Sequence, residues 1–163
     1  MTDTDVSIRL AVREDVHALL ELLPQITSRP DSLTARTLDV EASTRIFDQM
    51  CSHGNVYVVV GDIGGQLVAA LTIAVVPNLT YEGRPWSIIE NVVVDRGQRG
   101  RGVGKRLMAF AFDLAEQKGC YKVQVLSGPN DDQVGFYRST EMVDGTSRGF
   151  KKHFVDKRSV ALD

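Results

Sequence analysis

The chain has 163 residues, a formal net charge of −2, 43% hydrophobic residues and 25% charged residues. These values are typical of globular proteins, and the length predicts a single domain over 1–163 with a core of its own. Because the net charge is close to zero, no global field draws the chain to nucleic acid or to a membrane surface.

Hydrophobic periodicity predicts an α+β domain in which about four helices flank a central mixed, twisted sheet of about six to seven strands. A strand over 7–12 is followed by a helix with an apolar stripe from Val16, and Asp39 is a favourable N-cap for a second helix. The later elements are a hairpin of strands over 56–60 and 67–76, a strand over 87–94, a helix from Val103 to near Gly119, a strand over 121–126, a short helix over 133–139 and a closing pair of short strands over 142–154.

Cysteine and histidine usage indicates neither a disulfide framework nor a metal site. The two cysteines, Cys51 and Cys120, are too few for the first, and the three histidines do not pair with acids or cysteines at zinc-like spacing. The N-terminus is polar, and no apolar run approaches the ~20 residues of a membrane span. We therefore expect a cytoplasmic protein that contains no metal and binds no membrane.

The segment DRGQRGRGVGKRL, residues 95–107, leads from the apolar strand over 87–94 into a helix. A turn needs one or two glycines, whereas this segment has four within eight residues. The excess indicates backbone left bare for the close approach of a ligand. The four glycines are Gly97, Gly100, Gly102 and Gly104.

Two phosphate-binding glycine patterns do not fit this segment. A dinucleotide fingerprint requires a third glycine where Lys105 stands, and a P-loop requires a lysine after Gly102, where Val103 stands. A nucleic-acid patch would be short and has no interleaved aromatic residues, so no nucleic-acid partner is expected. A solvated turn with spare arginines remains the plain structural alternative.

The pattern that fits is R-x-x-G-x-G over residues 99–104, between a core strand and a helix N-terminus. Successive N–H groups in such a turn point inward, and the helix adds unpaired amides with a partial positive charge. Together they form a site for a pyrophosphate. Glycines keep β-carbons away from the phosphates, and cations add charge at the rim. The residues of this predicted site are Arg99, Gly100, Arg101, Gly102, Val103, Gly104 and Lys105.

The strand, the turn and the helix resemble the coenzyme A site of the GNAT superfamily of acetyl-CoA-dependent N-acetyltransferases. The resemblance extends over nearly the whole chain and implies a GNAT-type acyl-CoA N-acyltransferase fold with acetyl-CoA as co-substrate. It also implies that Asn130 hydrogen-bonds the pantetheine arm, that Phe136 packs against it and that Tyr137 lies near the sulfur. Plain core packing is the alternative for the Phe-Tyr pair.

Acetyl transfer to an amine needs a neutral amine, a stabilised oxyanion and a protonated leaving thiolate. A tyrosine hydroxyl can protonate a thiolate, which makes Tyr137 the candidate acid. The resemblance implies that the fourth and fifth strands splay apart and leave backbone free for the thioester and the pantetheine. The backbone N–H of Val92 or Val93 is then the candidate oxyanion donor, and Val94 belongs to the same stretch.

Glu90 is the single acidic residue within the apolar strand and is the candidate base. A carboxylate in such a strand is costly unless it is used or paired. It would accept the amine proton directly or through water. An ion-paired or exposed Glu90 is an equally weighted alternative.

A narrower similarity is to the glucosamine-6-phosphate N-acetyltransferases, a dimeric subfamily, which implies a homodimer. It rests on IENVVV over 89–94, CYK over 120–122 and VGFY over 134–137. Asn91 and Leu126 stand where that subfamily has acids, so the reaction is carried over and the sugar is not. The residues expected to face the acceptor, with solvated surface as their alternative, are Arg29, Arg36, Tyr81, Arg84 and Trp86.

The leading hypothesis is direct acetyl transfer to the primary amine of a small metabolite in a ternary complex. The alternatives are a protein or peptide N-acetyltransferase, an amino-sugar phosphate acetyltransferase and a non-catalytic acyl-CoA-binding module. A sensor would bind the thioester without releasing thiol.

Overall fold

The computed structural model describes residues 6–26, 39–127, 131–145, 148–150 and 152. The chain divides into two compact units, Met1–Ser127 and Gly128–Asp163. The described elements of the first unit are β1 (Ser7–Leu10), α1 (Val16–Leu22), α2 (Val40–Ser52), β2 (Val56–Ile63), β3 (Gln66–Val76), β4 (Trp86–Val94), α3 (Val103–Gln117) and β5 (Val123–Val125), and that of the second unit is α4 (Asp131–Arg138).

The first unit is built on a mixed sheet with the strand order β1-β2-β3-β4-β5. Neighbouring strands are antiparallel except β4 and β5, which are parallel and joined through α3. A helical crossover is what a parallel neighbour requires, so the predicted α+β class with a mixed sheet is confirmed. The prediction that β4 is central is also confirmed, since it lies between β3 and β5.

The described residues contain five strands, fewer than the six to seven predicted. The closing pair of strands predicted over 142–154 is not found at residues 142–145, 148–150 or 152, and its other residues lie outside the described ones. A short strand pair needs an apolar face to bury. Val143 and Phe150 bury little, since they are 78% and 87% exposed.

The hairpin of β2 and β3 follows from a two-residue turn. Gly64 and Gly65 have φ of +61° and +89°, which is the combination that matches the twist of paired strands. The Asp62 carboxylate accepts a hydrogen bond of 2.9 Å from the Gly65 N–H. The predicted hairpin is confirmed, with both strands longer than the sequence indicated.

Both faces of the sheet are buried. On one face, Leu19 and Leu22 of α1 pack against Val60, Ala70 and Val93. Residues of the opposite face, by strand alternation, are equally inaccessible, and α3 packs on β2, β3 and β4. The buried residues of that face and of α3 are Val59, Leu71, Ile73, Ile89, Val103, Leu107, Met108 and Ala111.

Two aspartates stabilise the segment that leads into α1 and the start of α2. The buried carboxylate of Asp15 accepts hydrogen bonds from the Arg9 guanidinium at 2.6 and 2.9 Å and from the Val12 N–H at 2.8 Å. These donors, with Arg9 first, hold the pKa of Asp15 below its ordinary value. Asp39 caps α2 by accepting from the Ala42 N–H at 2.7 Å, as predicted.

Candidate active site

A β-bulge interrupts β4 in the middle of the apolar run. Thr72 of β3 pairs with Glu90, and Ala70 pairs with Val93, so Leu71 lies opposite two residues of β4. Asn91, one of these two, has φ of +57°. Asparagine is among the few residues with a side chain that adopt this left-handed conformation readily. The local sequence therefore supports the bulge that the pairing requires.

The bulge places Glu90 and Val93 on the same face of the sheet, because their partners Thr72 and Ala70 are two residues apart on β3. Helix α1 covers this face at Ala70 and Val93, whereas Glu90 is exposed. Exposure spares the Glu90 carboxylate the burial cost that an inward-facing position in this strand would impose, and its surroundings match the exposed alternative.

The main chain of β4 beyond Ile89 faces a gap. The Ser87 N–H donates to the Lys122 carbonyl at 3.0 Å, and the Asp95 N–H donates to the Val68 carbonyl of β3 at 2.8 Å. Successive N–H groups of a strand alternate in direction, so those of Val92 and Val94 point toward the β5 side. The register of β5 ends opposite Ile89. No strand among the described residues pairs with β4 at Val92 and Val94 on that side.

This geometry separates the two candidate oxyanion donors. The Val93 N–H points toward β3, where Val93 pairs with Ala70, and its side chain is only 3% exposed. The Val92 N–H points into the gap and is the one that a ligand can reach. Of the predicted pair, Val92 is therefore the group whose direction suits an oxyanion donor.

The glycine-rich segment begins with a short 3-10 turn over Arg96–Gln98 and ends at the N-terminus of α3. Gly100 and Gly102 have φ of +76° and +81°, a region that residues with a β-carbon rarely adopt. A β-carbon on either would meet no atom within 4 Å, so it is the positive φ and not a steric clash that favours glycine at these positions.

Gly102 is the N-cap of α3 and has no side chain to satisfy the first turn. The first helical hydrogen bond there runs from the Arg106 N–H to the Gly102 carbonyl at 3.1 Å. The N–H groups of the three residues between them, Val103, Gly104 and Lys105, precede this bond and point out of the helix end. Together with the helix dipole, amides in this position favour a negative charge at the helix end.

The side chains of the predicted site divide into a core set and a charged rim. Val103 is 1% exposed and Gly104 is buried, so both belong to the packed first turn of α3. Arg99, Arg101 and Lys105 are exposed. The Arg99 Nε donates to the Val94 carbonyl at 3.1 Å, which ties the rim to the end of β4.

Gln25 and Asp95 also support this segment, and sequence reasoning did not select them. The Asp95 carboxylate accepts from the Gln25 amide at 3.0 Å and from the Gly97 N–H at 2.8 Å. These two donors, Gln25 first, hold the pKa of Asp95 below its ordinary value, and Arg99 and Arg96 act in the same direction. The one local signal is the Asp-x-Gly spacing of a turn cap.

The second unit contains the Phe136-Tyr137 pair on α4. The two rings meet edge to face with centroids 5.1 Å apart, and both side chains are partly buried. Buried Thr140 donates through its N–H and its hydroxyl to the Tyr137 carbonyl at 2.9 and 2.7 Å, which closes the end of the helix. Asn130 and the predicted acceptor residues Arg29 and Arg36 lie outside the described residues.

The other predicted acceptor loop is engaged in internal contacts. Arg84 donates to the carbonyls of Gly119 and Cys120 at 3.4 and 3.2 Å. Tyr81 stacks on Tyr121 with ring centroids 4.1 Å apart, and the Lys122 ammonium lies 5.8 Å from the Trp86 ring centroid. The Arg84 guanidinium thus joins the 78–86 loop to the link between α3 and β5, a contact that neither the acceptor role nor the solvated-surface alternative anticipated.

Similarity to known families decides the assignment. The family model of the acetyltransferase (GNAT) family matches residues 17–140, which include the bulge, the glycine turn and α4. The chain belongs to the GNAT acetyltransferase family. The resemblance noted from the R-x-x-G-x-G segment is thereby confirmed, and with it the GNAT fold and an N-acetyltransferase activity. Members of this family use acetyl-CoA as co-substrate.

Individual relatives agree with this assignment. A glucosamine 6-phosphate N-acetyltransferase of Trypanosoma brucei brucei is 29% identical over 167 residues, covering 100% of this chain and 99% of that protein. A protein of Agrobacterium tumefaciens str. C58, provisionally named an acetyltransferase, has a TM-score of 0.82 at 34% identity, with 91% and 99% of the two chains covered. The glucosamine-6-phosphate N-acetyltransferase of Arabidopsis thaliana has a TM-score of 0.78 at 26% identity, with 91% and 98% covered.

The described part of the chain has neither a metal cluster nor a membrane-spanning helix. No three of its His, Cys, Asp or Glu side chains come together as a set that would hold a metal ion. None of the helices described is long and apolar enough to cross a bilayer.

Proposed function

We propose that this GNAT family member transfers the acetyl group of acetyl-CoA directly to the primary amine of a small metabolite in a ternary complex. The observation that carries the proposal is the continuity between two main-chain surfaces. The β4 edge at Val92 and Val94 runs through the turn at Gly100 and Gly102 into the open N-terminus of α3. An extended thioester with a diphosphate at one end suits this arrangement, since the helix end favours the anion.

The proposed reaction assigns one step to each group. The amine nitrogen attacks the thioester carbonyl, and Glu90 accepts the amine proton directly or through water. The Val92 N–H donates to the oxyanion of the tetrahedral intermediate, a contact of the kind typically worth ~3 kcal/mol. The C–S bond then breaks, and Tyr137 protonates the departing thiolate. Free coenzyme A and the N-acetyl product result.

The coenzyme would be held by the residues of the glycine segment, with Arg99, Arg101 and Lys105 screening its phosphates. The N–H groups of Val103, Gly104 and Lys105 would receive the diphosphate. Asn130 and Phe136 are proposed to contact the pantetheine arm. Main-chain donors supply most of these contacts, so the site requires a particular backbone more than particular side chains.

An amino-sugar phosphate is the second candidate acceptor. It is favoured by the relative from Trypanosoma brucei brucei, which is named a glucosamine 6-phosphate N-acetyltransferase and matches along the whole chain. Asn91 is polar and exposed beside Glu90. An asparagine there can donate to a sugar hydroxyl, whereas the acid of that subfamily can only accept when ionised.

Release of free thiol from acetyl-CoA tests both candidates. The purified chain is assayed with glucosamine 6-phosphate, unphosphorylated glucosamine, amino acids, polyamines and short peptides. Turnover with a small amine supports the proposal, and a preference for glucosamine 6-phosphate over glucosamine identifies the sugar phosphate. Turnover confined to peptides would contradict it, and binding of acetyl-CoA without thiol release would indicate a non-catalytic module.

We also propose that the active form is a cytoplasmic homodimer. The support for a dimer is the similarity to the glucosamine-6-phosphate N-acetyltransferases, a dimeric subfamily, and the exposed Phe150, which is 87% accessible in the described part of the second unit, is our candidate contact. Light scattering coupled to size exclusion measures the mass directly. A mass of one chain for the wild type would contradict the dimer, whereas Phe150→Ser is expected to shift a dimer toward the monomer.

A further inference from the structure

A single side chain from the end of the first helical region holds the entrance of the glycine segment. Gln25 lies in a 3-10 turn, Leu23–Ile26, directly after α1. Its Nε2 donates to the Asp95 carboxylate at 3.0 Å, and its Oε1 accepts from the Arg96 N–H at 3.0 Å. Both polar ends of the amide are therefore committed to two adjacent residues, 70 and 71 positions away in the chain.

Asp95 and Arg96 are the residues at which β4 becomes the turn. The Asp95 N–H still belongs to the sheet, through the Val68 carbonyl at 2.8 Å, while its carboxylate already caps the 3-10 turn at the Gly97 N–H. Gln25 fixes the carboxylate and the next N–H at the same time. The contact is therefore made at the point where the chain leaves the sheet, upstream of Gly100 and Gly102.

We propose that Gln25 is a positioning residue for coenzyme A binding, which aligns the diphosphate-binding turn without touching the coenzyme. The inference rests on the proposed function, because it assigns the turn to the coenzyme. Its mechanical basis is the pair of hydrogen bonds just described. These bonds join the end of the α1 region to the exit of β4, so the turn is held from outside its own stretch of sequence.

Exchanging the amide of Gln25 and the carboxylate of Asp95 tests the hydrogen bonds while the side-chain sizes stay almost unchanged. In Gln25→Glu two carboxylates face each other, and the Asp95 carboxylate loses the Gln25 donor while it keeps the Gly97 N–H. In Asp95→Asn the new amide faces the Gln25 amide, and either orientation of Gln25 leaves two donors opposed.

The double variant, Gln25→Glu with Asp95→Asn, restores every hydrogen bond of the contact with the two chemical groups exchanged. The carboxylate introduced at position 25 accepts from the Arg96 N–H and from the NH₂ of the amide introduced at position 95. The oxygen of that amide still accepts from the Gly97 N–H. A positioning role therefore predicts that the two changes compensate each other.

Calorimetric titration with coenzyme A measures the effect without knowledge of the acceptor. Each single variant is expected to bind coenzyme A about tenfold more weakly or worse, since one charge-assisted hydrogen bond is lost in each. The double variant is expected to return to within about threefold of the wild type, which is the coupling expected of residues in direct contact. Gln25→Met has a side chain of similar length that can form neither hydrogen bond, and it is expected to weaken coenzyme A binding as the single variants do.

Gln66→Glu is the matched control, because it makes the same chemical change at an exposed position of β3. It is expected to bind coenzyme A as the wild type does.

Thermal unfolding of the same proteins distinguishes positioning from general stability. Lowered unfolding midpoints with unchanged affinity in all folded variants would overturn the inference. The inference would also be overturned if the loss of binding free energy in the double variant equalled the sum of the losses in the two single variants. Should Gln25→Glu fail to fold, the Gln25→Met and double variants still decide between these outcomes. Absence of binding by the wild type would instead overturn the proposed function, and this inference with it.

Discussion

Glu90 and Val93 lie on the same face of β4, although three positions separate them and strict alternation would place them on opposite faces. The extra residue of the bulge causes this. The Val92 N–H then points to the side of β4 where β5 would continue, past the last β4–β5 pair at Ile89. An exposed carboxylate and an accessible main-chain donor thus stand two residues apart on one strand. That spacing suits a base and an oxyanion donor that act around a single carbonyl carbon.

Asn91 should tolerate only substitutions that accept its backbone conformation. Asn91→Val places a β-branched side chain at φ of +57° and is expected to lower the free energy of unfolding by about 1–3 kcal/mol. Turnover should fall as well, because the Val92 N–H changes direction. Asn91→Gly accepts this φ and should retain both properties. Denaturant unfolding and thiol release measure them, and equal stability of the two variants would contradict the expected strain.

Glu90→Gln should impair catalysis most at neutral pH. The variant lacks a base, so turnover at pH 7 is expected to fall by about 100-fold. The loss should shrink as the pH rises toward the amine pKa, since more acceptor is then already neutral. A pH profile of kcat provides the test. Glu116→Gln, an exposed change on α3, is the control, and a loss for Glu90→Gln that is the same at every pH would refute the role of base.

Tyr137→Phe should separate chemistry from coenzyme binding. Without the hydroxyl the thiolate leaves unprotonated, so kcat is expected to fall by about 100-fold while the affinity for coenzyme A stays within a few-fold. Tyr57→Phe removes a hydroxyl that donates to the Gly54 carbonyl, and it should leave kcat unchanged. Steady-state kinetics and calorimetry measure the two quantities. An unchanged kcat in Tyr137→Phe would remove the proposed acid.

Acid stability should depend on Asp15. Its pKa in the folded protein is below the ordinary value of 3.8, chiefly because Arg9 donates to the carboxylate. The ionised carboxylate therefore stabilises the fold above about pH 4, and this stability is lost as the pH falls through the lowered pKa. Asp15→Asn is expected to cost about 1.5–3 kcal/mol at pH 7 and to make the decline below pH 4 shallower.

Asp48→Asn is the control for Asp15→Asn, because Asp48 forms an exposed ion pair with Arg13 at 3.4 Å. Such pairs contribute about 0–1 kcal/mol, so this variant should follow the wild-type curve. Unfolding midpoints measured between pH 2 and pH 7 make the comparison. If the unfolding midpoints of the wild type and of Asp15→Asn fell in parallel below pH 4, the Arg9 contact would not be the cause of the loss of stability in acid.

Local patterns predict those features whose cause is local. The turn at Gly64-Gly65, the Asp39 cap and the glycine segment each depend on residues within a few positions, and each is visible in the sequence. The bulge at Asn91 is not, because one asparagine within an apolar run leaves its periodicity almost unchanged. The direction of the Val92 N–H follows from that bulge, so the sequence alone does not separate Val92 from Val93.

Long-range contacts are beyond the same reasoning. Nothing near Gln25 indicates a partner 70 positions away, and Asp95 reads as an ordinary turn residue until the sheet places the two together. Arg84 makes a second long-range contact of this kind. Its position in a loop suggests an acceptor contact, whereas the fold directs its guanidinium to the carbonyls of Gly119 and Cys120.

The left-handed glycines at 100 and 102 have an evolutionary consequence. If amides of the peptide backbone do most of the gripping, natural selection acts there on a dihedral angle rather than on side-chain identity. On that premise, a relative such as the trypanosomal protein, which is 29% identical, needs to share the dihedral angles of this turn with the chain rather than its side chains.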